Sequence, residues 1–270
     1  MSDIYQFIDD LDSDRQSMVA KRLEDCAQMP RFAEIRENYF DKIGLPSKGS
    51  IHELGCGTGA VCRAIASRPG FNGTVSGSDL SASLIDTANE IAAKTDLQNI
   101  HYYQSDGQRG DHHESRHDLV LAHTVISHVP EPKALLTEAI RLTRPGGRII
   151  IHDGDFASMT FGTGAPELDR KMPDLILQSA VANRYIMREL PRLFQQFDVD
   201  VTHAFGDVLL EIGTSDYFPG LTNYCPVVVE AGIATQMDVD TWVHSINRAI
   251  SENAFFGSCN FVTYGLLKGS

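Results

Sequence analysis

Short apolar runs alternate with amphipathic stretches over the first part of the chain. The apolar runs that predict strands lie at 50–54, 74–78, 100–104, 118–122 and 148–153. Between them, apolar residues recur at helical spacing over about 59–68, 81–94 and 131–143. Strands that alternate with helices in this order are typical of βαβ units, and right-handed crossovers place the helices on both faces of a parallel sheet. The pattern therefore predicts an α/β fold with a doubly wound sheet.

The segments that flank this region follow a different pattern. Residues 1–47 show helical spacing interrupted at Pro30, which predicts an N-terminal helical lid. After the fifth strand, the expected elements are mostly helical segments at about 156–195 and 213–257, and strands at 198–212 and 261–267. We therefore expect one domain over 48–270, interrupted by two helical cap insertions.

The composition excludes several classes of protein. The 270 residues include 23 Lys and Arg against 36 Asp and Glu, a formal net charge of −13. Such a surface repels polyanions, so we expect no nucleic-acid partner. No apolar stretch approaches the roughly 18 residues that indicate a membrane span. The five cysteines form no Cys-x-x-Cys pair, which argues against a disulfide framework or a zinc cluster and indicates a cytoplasmic setting.

A glycine-rich turn follows the first predicted strand. The run Glu53-Leu-Gly-Cys-Gly-Thr-Gly59 precedes a helix, and its glycines allow a sharp turn and close approach of a ligand. The spacing of Gly55, Gly57 and Ala60 also matches a dinucleotide fingerprint, in which a pyrophosphate binds the helix N-terminus. Glu53 argues against that interpretation, because a carboxylate repels a pyrophosphate but attracts an ammonium group. A tight turn without a ligand is the remaining alternative.

Acidic residues follow the second and third predicted strands. Asp79 can accept both hydrogens of a ribose diol, and Leu80 can pack on an adenine face. The alternative for Asp79 is an N-cap of the following helix. Asp106, before Gly107, can accept a hydrogen bond from an adenine amino group, although Asp-Gly is also a common turn pair. These positions favour a nucleoside ligand.

Two histidines, His123 and His128, follow the fourth predicted strand. Ligands of open α/β sheets bind beyond the carboxyl ends of the strands, so we expect both side chains to face the site. An unperturbed pKa of about 6.5 suits His128 to a general base. The alternative is that His128 only shapes the pocket. The run Arg144-Pro-Gly-Gly147 then turns the chain into the fifth strand.

Together these motifs resemble the class I S-adenosylmethionine-dependent methyltransferases, in the style of the ubiquinone/menaquinone and small-molecule methyltransferases. The resemblance covers about residues 48–155. It implies a Rossmann-like seven-stranded sheet with the last strand antiparallel, S-adenosyl-L-methionine as the cofactor and S-adenosyl-L-homocysteine as the product. The residues that it assigns to the cofactor are Glu53, Gly55, Cys56, Gly57, Gly59, Asp79, Leu80, Asp106, Gly107 and His123. The lid is expected to fold over this cofactor, so that Arg31 or Tyr39 touches it.

Methyl transfer requires an acceptor held in line with the methyl carbon and shielded from water. Of His128, His152 and Asp153, we expect His128 to be the catalytic base, because of its position after strand four. The Asp/Asn-Pro-Pro-aromatic motif of nucleic-acid amino methyltransferases is absent at that place. Strand four also ends without an acidic residue, so no metal is expected.

Aromatic residues in the cap insertions predict an apolar pocket for the acceptor. The candidate substrate contacts are Phe156, Arg184, Trp242 and Asn260. The alternative is that most of the aromatic residues form the core of the cap. We expect O- or N-methylation of a small aromatic, quinone-like or natural-product acceptor by a monomer or a homodimer.

Two other functions remain open from the sequence. One is a protein of the same fold that binds the cofactor and promotes a reaction other than methylation. The other, less favoured, is an NAD-dependent oxidoreductase. Glu53 argues against it, and the residue four positions after Tyr185 is Glu189 rather than the lysine of a Tyr-x-x-x-Lys pair.

Overall fold

The computed structural model describes residues 3–109 and 116–269, so the first two residues of the predicted lid lie outside the description. The strands in the described ranges are β1 (Ser50–Leu54), β2 (Thr74–Asp79), β3 (Ile100–Gln104), β4 (His117–His123), β5 (Thr143–Gly162), β6 (Val199–Gly213) and β7 (Phe255–Lys268). The α-helices there are α1 (Ser13–Gln28), α2 (Pro30–Ile43), α3 (Ala60–Ala66), α4 (Ala82–Ala92), α5 (Pro132–Leu142), α6 (Pro166–Ala180), α7 (Ile186–Phe194), α8 (Cys225–Glu230) and α9 (Gln236–Ser251). Short 3₁₀ turns lie at Ile4–Gln6, Ile8–Asp10 and Phe218–Tyr224.

The strands form a single seven-stranded sheet in the order β3-β2-β1-β4-β5-β7-β6. Strands β1 to β5 are parallel to one another, whereas β7 is antiparallel to both of its neighbours, β5 and β6. This confirms the predicted Rossmann-like, seven-stranded sheet with an antiparallel last strand. The carboxyl ends of β1, β2 and β4 therefore meet at one edge of the sheet, where ligands of such folds bind.

Both faces of the sheet are covered by helices. Along β4, Leu119 and Leu121 belong to one buried cluster, with residues of α2, α3 and α4. Val120 and Ala122 point to the opposite face and join a cluster with residues of α5 and α7. Since neither face meets water, the strand reads as a continuous apolar run in the sequence rather than an alternating one.

Strands β5 and β7 extend further than the sequence pattern predicts. Residues 156–162, expected to be helical, continue β5 after a register shift between Asp155 and Thr160. Residues 255–260, expected to precede the final strand, form the first half of β7. This half does alternate between buried and more exposed positions, but its inward residues include the small Gly257 and Cys259. Small inward residues conceal the period of two by which strands are recognised.

The extended ends of β5, β6 and β7 support a second core, which we call the cap core. Residues of α6, α8, α9 and the 3₁₀ turn at Phe218–Tyr224 pack there around the buried Trp242. Helix α7 lies within the expected first insertion but packs on the sheet instead, with Met187 and Leu190 buried. The cap thus shares its strands with the main sheet.

The N-terminal segment, which here means residues 3–28, crosses the carboxyl edge of the sheet. The Asp9 carboxylate accepts hydrogen bonds from the Ser81 hydroxyl at 2.6 Å and from the backbone amides of Ala82 and Ser83 at 2.8 and 3.2 Å. These contacts attach the segment to the first turn of α4, where backbone amides lack helical partners and favour an anion. Within residues 3–109 and 116–269, no helix combines the length and apolar character that a membrane crossing requires.

Candidate functional site

A cavity of about 250 Å³ lies at the carboxyl edge of the sheet. The segments that follow β1, β2, β3 and β4 form one side, and the N-terminal segment covers the other. The predicted site residues that line it are Glu53, Gly55, Cys56, Gly57, Asp79, Leu80, Asp106, Gly107, His123, His128 and Phe156. A side pocket of about 80 Å³ adjoins the cavity. The residues that line both are Tyr5, Arg22, His128, Phe156 and Tyr217.

The turn after β1 requires glycine. Gly55, Gly57 and Gly59 have φ values of +68°, +52° and +78°, a region that other residues rarely adopt. A Cβ atom on Gly55 would lie 2.3 Å from Val125 Cγ2, and one on Gly59 would lie 2.4 Å from the Tyr102 side chain. Gly59 itself does not line the cavity. Its role is to let α3 begin close to β3.

Glu53 is the penultimate residue of β1 and is only 2% exposed. The thiol of Cys62 donates a hydrogen bond to its Oε2 at 2.9 Å. Burial raises the pKa of the carboxyl group to about 8, the charge of Asp79 adds to this shift, and Cys62 and Arg36 oppose it. Glu53 is therefore largely protonated at neutral pH, and a cation bound beside it would favour the ionised form.

Asp79 holds the glycine turn against the start of α4. Its Oδ2 accepts from the Gly57 amide at 2.8 Å, and its Oδ1 accepts from the Ser81 amide at 3.0 Å. The N-cap of α4 is Ser81, whose hydroxyl accepts from Leu84 N, so the N-cap alternative for Asp79 does not hold. Each carboxylate oxygen keeps a lone pair for a ligand. The neighbouring Leu80 is 44% exposed, an apolar surface open to a ligand face.

Asp106 and Gly107 form the turn after β3. Asp106 Oδ1 accepts from the Gln108 amide at 2.9 Å, and its Oδ2 lies 2.9 Å from Arg109 Nε. A Cβ atom on Gly107 would lie 2.9 Å from Leu135 Cδ1, so a larger residue would crowd α5. Internal bonds thus fix the carboxylate at the rim of the cavity.

His123 ends β4 and stacks on His152, with ring centroids 4.8 Å apart. Its Nδ1 shares a hydrogen bond of 2.9 Å with the hydroxyl of Tyr39. Burial lowers the pKa of His123 well below its ordinary value and that of His152 to about 3, so both rings are neutral. Tyr39, expected to touch the cofactor, is fully buried behind His123 and does not line the cavity.

His128 is held by the N-terminal segment. Its Nδ1 donates to Asp3 Oδ2 at 2.6 Å, and its backbone carbonyl accepts from Gln6 Nε2 at 2.6 Å. Asp3 is fixed in turn by the Ala182 amide, at 3.1 Å. Burial acts to lower the pKa of His128, but the hydrogen bond and charge of Asp3, with the charge of Asp153, raise it above its ordinary value. A carboxylate that orients a histidine and stabilises its protonated form is the arrangement found in catalytic bases.

The two other candidate bases have structural contacts. His152 Nδ1 hydrogen-bonds the Thr263 hydroxyl at 2.8 Å, between β5 and β7. Asp153 accepts from the amides of Ser127 and Gly154 at 3.0 and 2.7 Å. Neither side chain lines the cavity.

Besides Gly59 and Tyr39, four further predicted contacts lie outside both the cavity and the side pocket: Arg31, Arg184, Trp242 and Asn260. Arg31 forms an ion pair of 2.7 Å with Glu34 and donates to the carbonyl of Val208. Asn260 is exposed on β7, at a position paired with Val208 of β6.

The other two belong to the cap. Arg184 Nη1 forms an ion pair of 2.5 Å with Asp174. Trp242 is fully buried and its Nε1 donates to Asp169 Oδ1 at 3.2 Å. This placement favours the alternative that the cap aromatics form a core, whereas Phe156 lines the cavity.

Two cavity-lining cations escaped the sequence analysis, Arg22 of α1 and Arg36 of α2. Arg36 Nη1 donates to the Ala27 carbonyl at 3.2 Å, but its buried Nε has no hydrogen-bond partner among the described residues. A signal for it exists, because Phe32, Arg36 and Tyr39 stand at i, i+4 and i+7 on one face of α2. In the described ranges, no group of three or more His, Cys, Asp or Glu side chains is placed to hold a metal ion.

Comparison with known sequences gives one family. The family model described as a methyltransferase domain matches residues 46–204. An uncharacterized 37.1 kDa protein of a Streptomyces fradiae transposon is 27% identical over 201 residues, which is 72% of this chain and 56% of that protein. A ubiquinone biosynthesis O-methyltransferase from Saccharophagus degradans is 23% identical over 159 residues, or 58% of this chain and 59% of the relative. The chain thus spans less than two thirds of either relative.

Solved structures share the fold. A candidate methyltransferase from Bacillus halodurans, 12% identical, covers 87% of this chain and 99% of its own with a TM-score of 0.63. Phosphoethanolamine N-methyltransferase 2 of Haemonchus contortus, solved in complex with S-adenosyl-L-methionine, is 16% identical. It covers all of this chain and 61% of its own with a TM-score of 0.60.

Proposed function

Because this chain belongs to the class I S-adenosylmethionine-dependent methyltransferases, we propose that it transfers a methyl group from S-adenosyl-L-methionine to an oxygen or nitrogen atom of a small-molecule acceptor. The observation that carries the proposal is a pair of opposite, incompletely satisfied groups at one end of the cavity. Glu53 is a buried carboxyl group without an ion-pair partner in the described residues. Arg36 Nε is buried without a hydrogen-bond acceptor there, and its ion-pair partner Glu37 Oε1 lies 3.8 Å away. An amino-acid zwitterion supplies the ammonium and the carboxylate that these two groups lack.

The remaining cofactor residues follow from this orientation. With the methionine part beside Glu53 and Arg36, the glycine turn passes under the nucleoside. Asp79 then accepts from the ribose hydroxyls, and Leu80 packs on the adenine. Asp106, which also lines the cavity, accepts from the adenine amino group. In this arrangement Arg36, rather than the predicted Arg31, contacts the cofactor.

The bound cofactor supplies an electrophilic methyl group on a sulfonium, so the protein has to bind, orient and exclude water. His128 lines both the cavity and the side pocket, and this position supports a role between the cofactor and the acceptor. Asp3 keeps the proton on His128 Nδ1 and leaves Nε2 as the basic atom. When an acceptor oxygen displaces S-adenosyl-L-homocysteine from the methyl carbon, with cleavage of the carbon–sulfur bond, His128 Nε2 would take the proton of the acceptor hydroxyl. Phe156 packs against the edge of His128, at 5.8 Å between ring centroids, and limits the approach of water.

Calorimetric titration with S-adenosyl-L-homocysteine tests the proposal. We expect stoichiometric binding to the wild-type chain and at least about tenfold weaker binding to Glu53→Gln, because a buried ionic contact is lost. Glu90→Gln removes an exposed carboxylate of α4 and serves as the matched control, with unchanged affinity. Binding of NADH in place of S-adenosyl-L-homocysteine would overturn the proposal.

A further inference from the structure

Arg22 is the second cation that lines the cavity, and it differs from Arg36 in its surroundings. It lines the side pocket as well as the cavity, whereas Arg36 lines only the cavity. Its guanidinium lies over the ring of Tyr217, 5.7 Å from the centroid. The described residues provide no hydrogen bond and no ion pair to Arg22, although the chain carries an excess of 13 negative charges.

The polar groups around Arg22 are neutral. Burial raises the pKa values of Tyr5, Tyr217 and Tyr224, so these phenols stay protonated and act as donors. All three line the side pocket. No Asp or Glu side chain lines the side pocket, and the carboxylate of Asp3, whose charge acts on Tyr5 and Tyr224, is already engaged by His128 and the Ala182 amide. A partly buried guanidinium without a counter-charge is unfavourable unless a ligand supplies one.

The rest of the side pocket is apolar. Its walls include Met159, Leu177, Val181, Phe218 and Leu221. A molecule that fills the pocket would have an apolar body. One end of it would reach His128, and a charged group would reach Arg22. A single planar fork of N–H donors matches one carboxylate, with two parallel hydrogen bonds.

We propose that Arg22 binds a carboxylate group of the methyl acceptor, so that the substrates of this enzyme are small amphipathic acids with a nucleophilic atom near His128. The inference rests on the proposed methyltransferase function and adds the substrate class. Gly220 lies beside this guanidinium, because a Cβ atom added at Gly220 would lie 2.2 Å from Arg22 Nη1. Glycine at this position leaves room for the guanidinium beside Tyr217.

The test compares acids with their neutral esters on protein saturated with S-adenosyl-L-homocysteine. The probes are 4-hydroxybenzoate, 4-hydroxyphenylacetate and 4-hydroxycinnamate, each beside its methyl ester, with affinities measured by calorimetry. We expect at least one acid to bind wild-type protein about tenfold or more tightly than its ester, and this preference to disappear in Arg22→Gln. Arg22→Lys should keep part of the preference, since the charge remains but the planar fork is lost.

Two further variants control the result. Arg15→Gln removes an exposed cation of the same helix and should leave every affinity unchanged. Gly220→Ala displaces the guanidinium without removing its charge and should weaken acid binding while ester binding stays the same. It also serves as the test if Arg22→Gln does not fold.

The outcomes separate this inference from the proposed function. If S-adenosyl-L-homocysteine binds but no acid is preferred over its ester, the substrate class is refuted and the methyltransferase function stands. If Arg22→Gln weakens the binding of S-adenosyl-L-homocysteine as much as it weakens the binding of the acids, Arg22 serves the cofactor and the inference is wrong. If S-adenosyl-L-homocysteine fails to bind the wild-type chain, the proposed function itself fails.

Discussion

Replacing Glu53 with glutamine should make the stability of the cofactor-free protein less sensitive to pH. The folded carboxyl group has a pKa of about 8 against an ordinary value of 4.5. Because the folded value is the higher one, the folded chain keeps a proton that the unfolded chain releases, and stability falls as the pH rises between these two values. Glutamine keeps an oxygen that accepts from Cys62 but has no proton to lose.

The magnitude follows from linkage. Each pH unit inside the window costs the wild-type chain about 1.4 kcal/mol of unfolding free energy through this group. Between about pH 6 and about pH 8, the free energy of unfolding of Glu53→Gln should therefore rise by about 2–3 kcal/mol relative to wild type. Other titrating groups are common to both proteins and cancel in this difference.

The assay is urea unfolding of wild type, Glu53→Gln and the control Glu90→Gln at several pH values across that window. The same preparations are then titrated with S-adenosyl-L-homocysteine, whose ammonium group favours ionised Glu53. Binding to wild type should release protons below about pH 8, and binding to the variant should not. A stability difference that stays constant across the window would show that Glu53 is already ionised, and would refute the reasoning.

Two other predictions concern the base and the glycine turn. Asp3→Asn should lower the pKa of His128, and NMR titration of the imidazole ring measures this pKa. The raised pKa of His128 stabilises the fold fully below about pH 6.5 and less as the pH rises through the folded value, so urea unfolding should show a larger loss for this variant at about pH 6 than at about pH 9. An equal loss at both pH values would contradict the ion pair. Gly59→Ala should cost more than about 2 kcal/mol, because it combines an unfavourable φ with a clash against Tyr102, and Gly70→Ala, with a similar φ of +82° but open space, should cost about 1 kcal/mol. Similar unfolding free energies for both alanine variants would show that the clash is relieved by relaxation.

The sequence predicted the part of the fold that depends on local pattern. The bounds of β1 and β3 agree with the predicted strands, β2 differs by one residue at one end, and β4 and β6 differ by one residue at each end. The apolar run 119–122 forms the centre of β4, and glycine or an acidic residue lies at or just after the ends of β1, β2 and β6, so local pattern and turn chemistry predict nearly the observed bounds. The extension of β5 and β7 depends instead on pairing between distant segments, and residues as small as Gly257 and Cys259 carry little hydrophobic signal.

The residues of the candidate site also differ in whether local sequence pattern predicts them. Glu53, Asp79 and Asp106 stand at fixed places after strands, so the topology alone brings them to the cavity. Asp3 and Arg22 reach it only because the N-terminal segment folds back, and Asp3 contacts a histidine 125 residues away. No local pattern predicts such a contact.

The position of Asp3 links the covering of the cavity to the basicity of His128. The N-terminal segment that covers the cavity also carries the carboxylate that orients His128 and raises its basicity. Under the proposed function, a movement of the segment that admits the acceptor or frees the product would withdraw Asp3 at the same time. His128 would then lack the hydrogen bond and the charge that raise its pKa. Deprotonation of an acceptor would thus be confined to the closed form, in which Asp3 contacts His128.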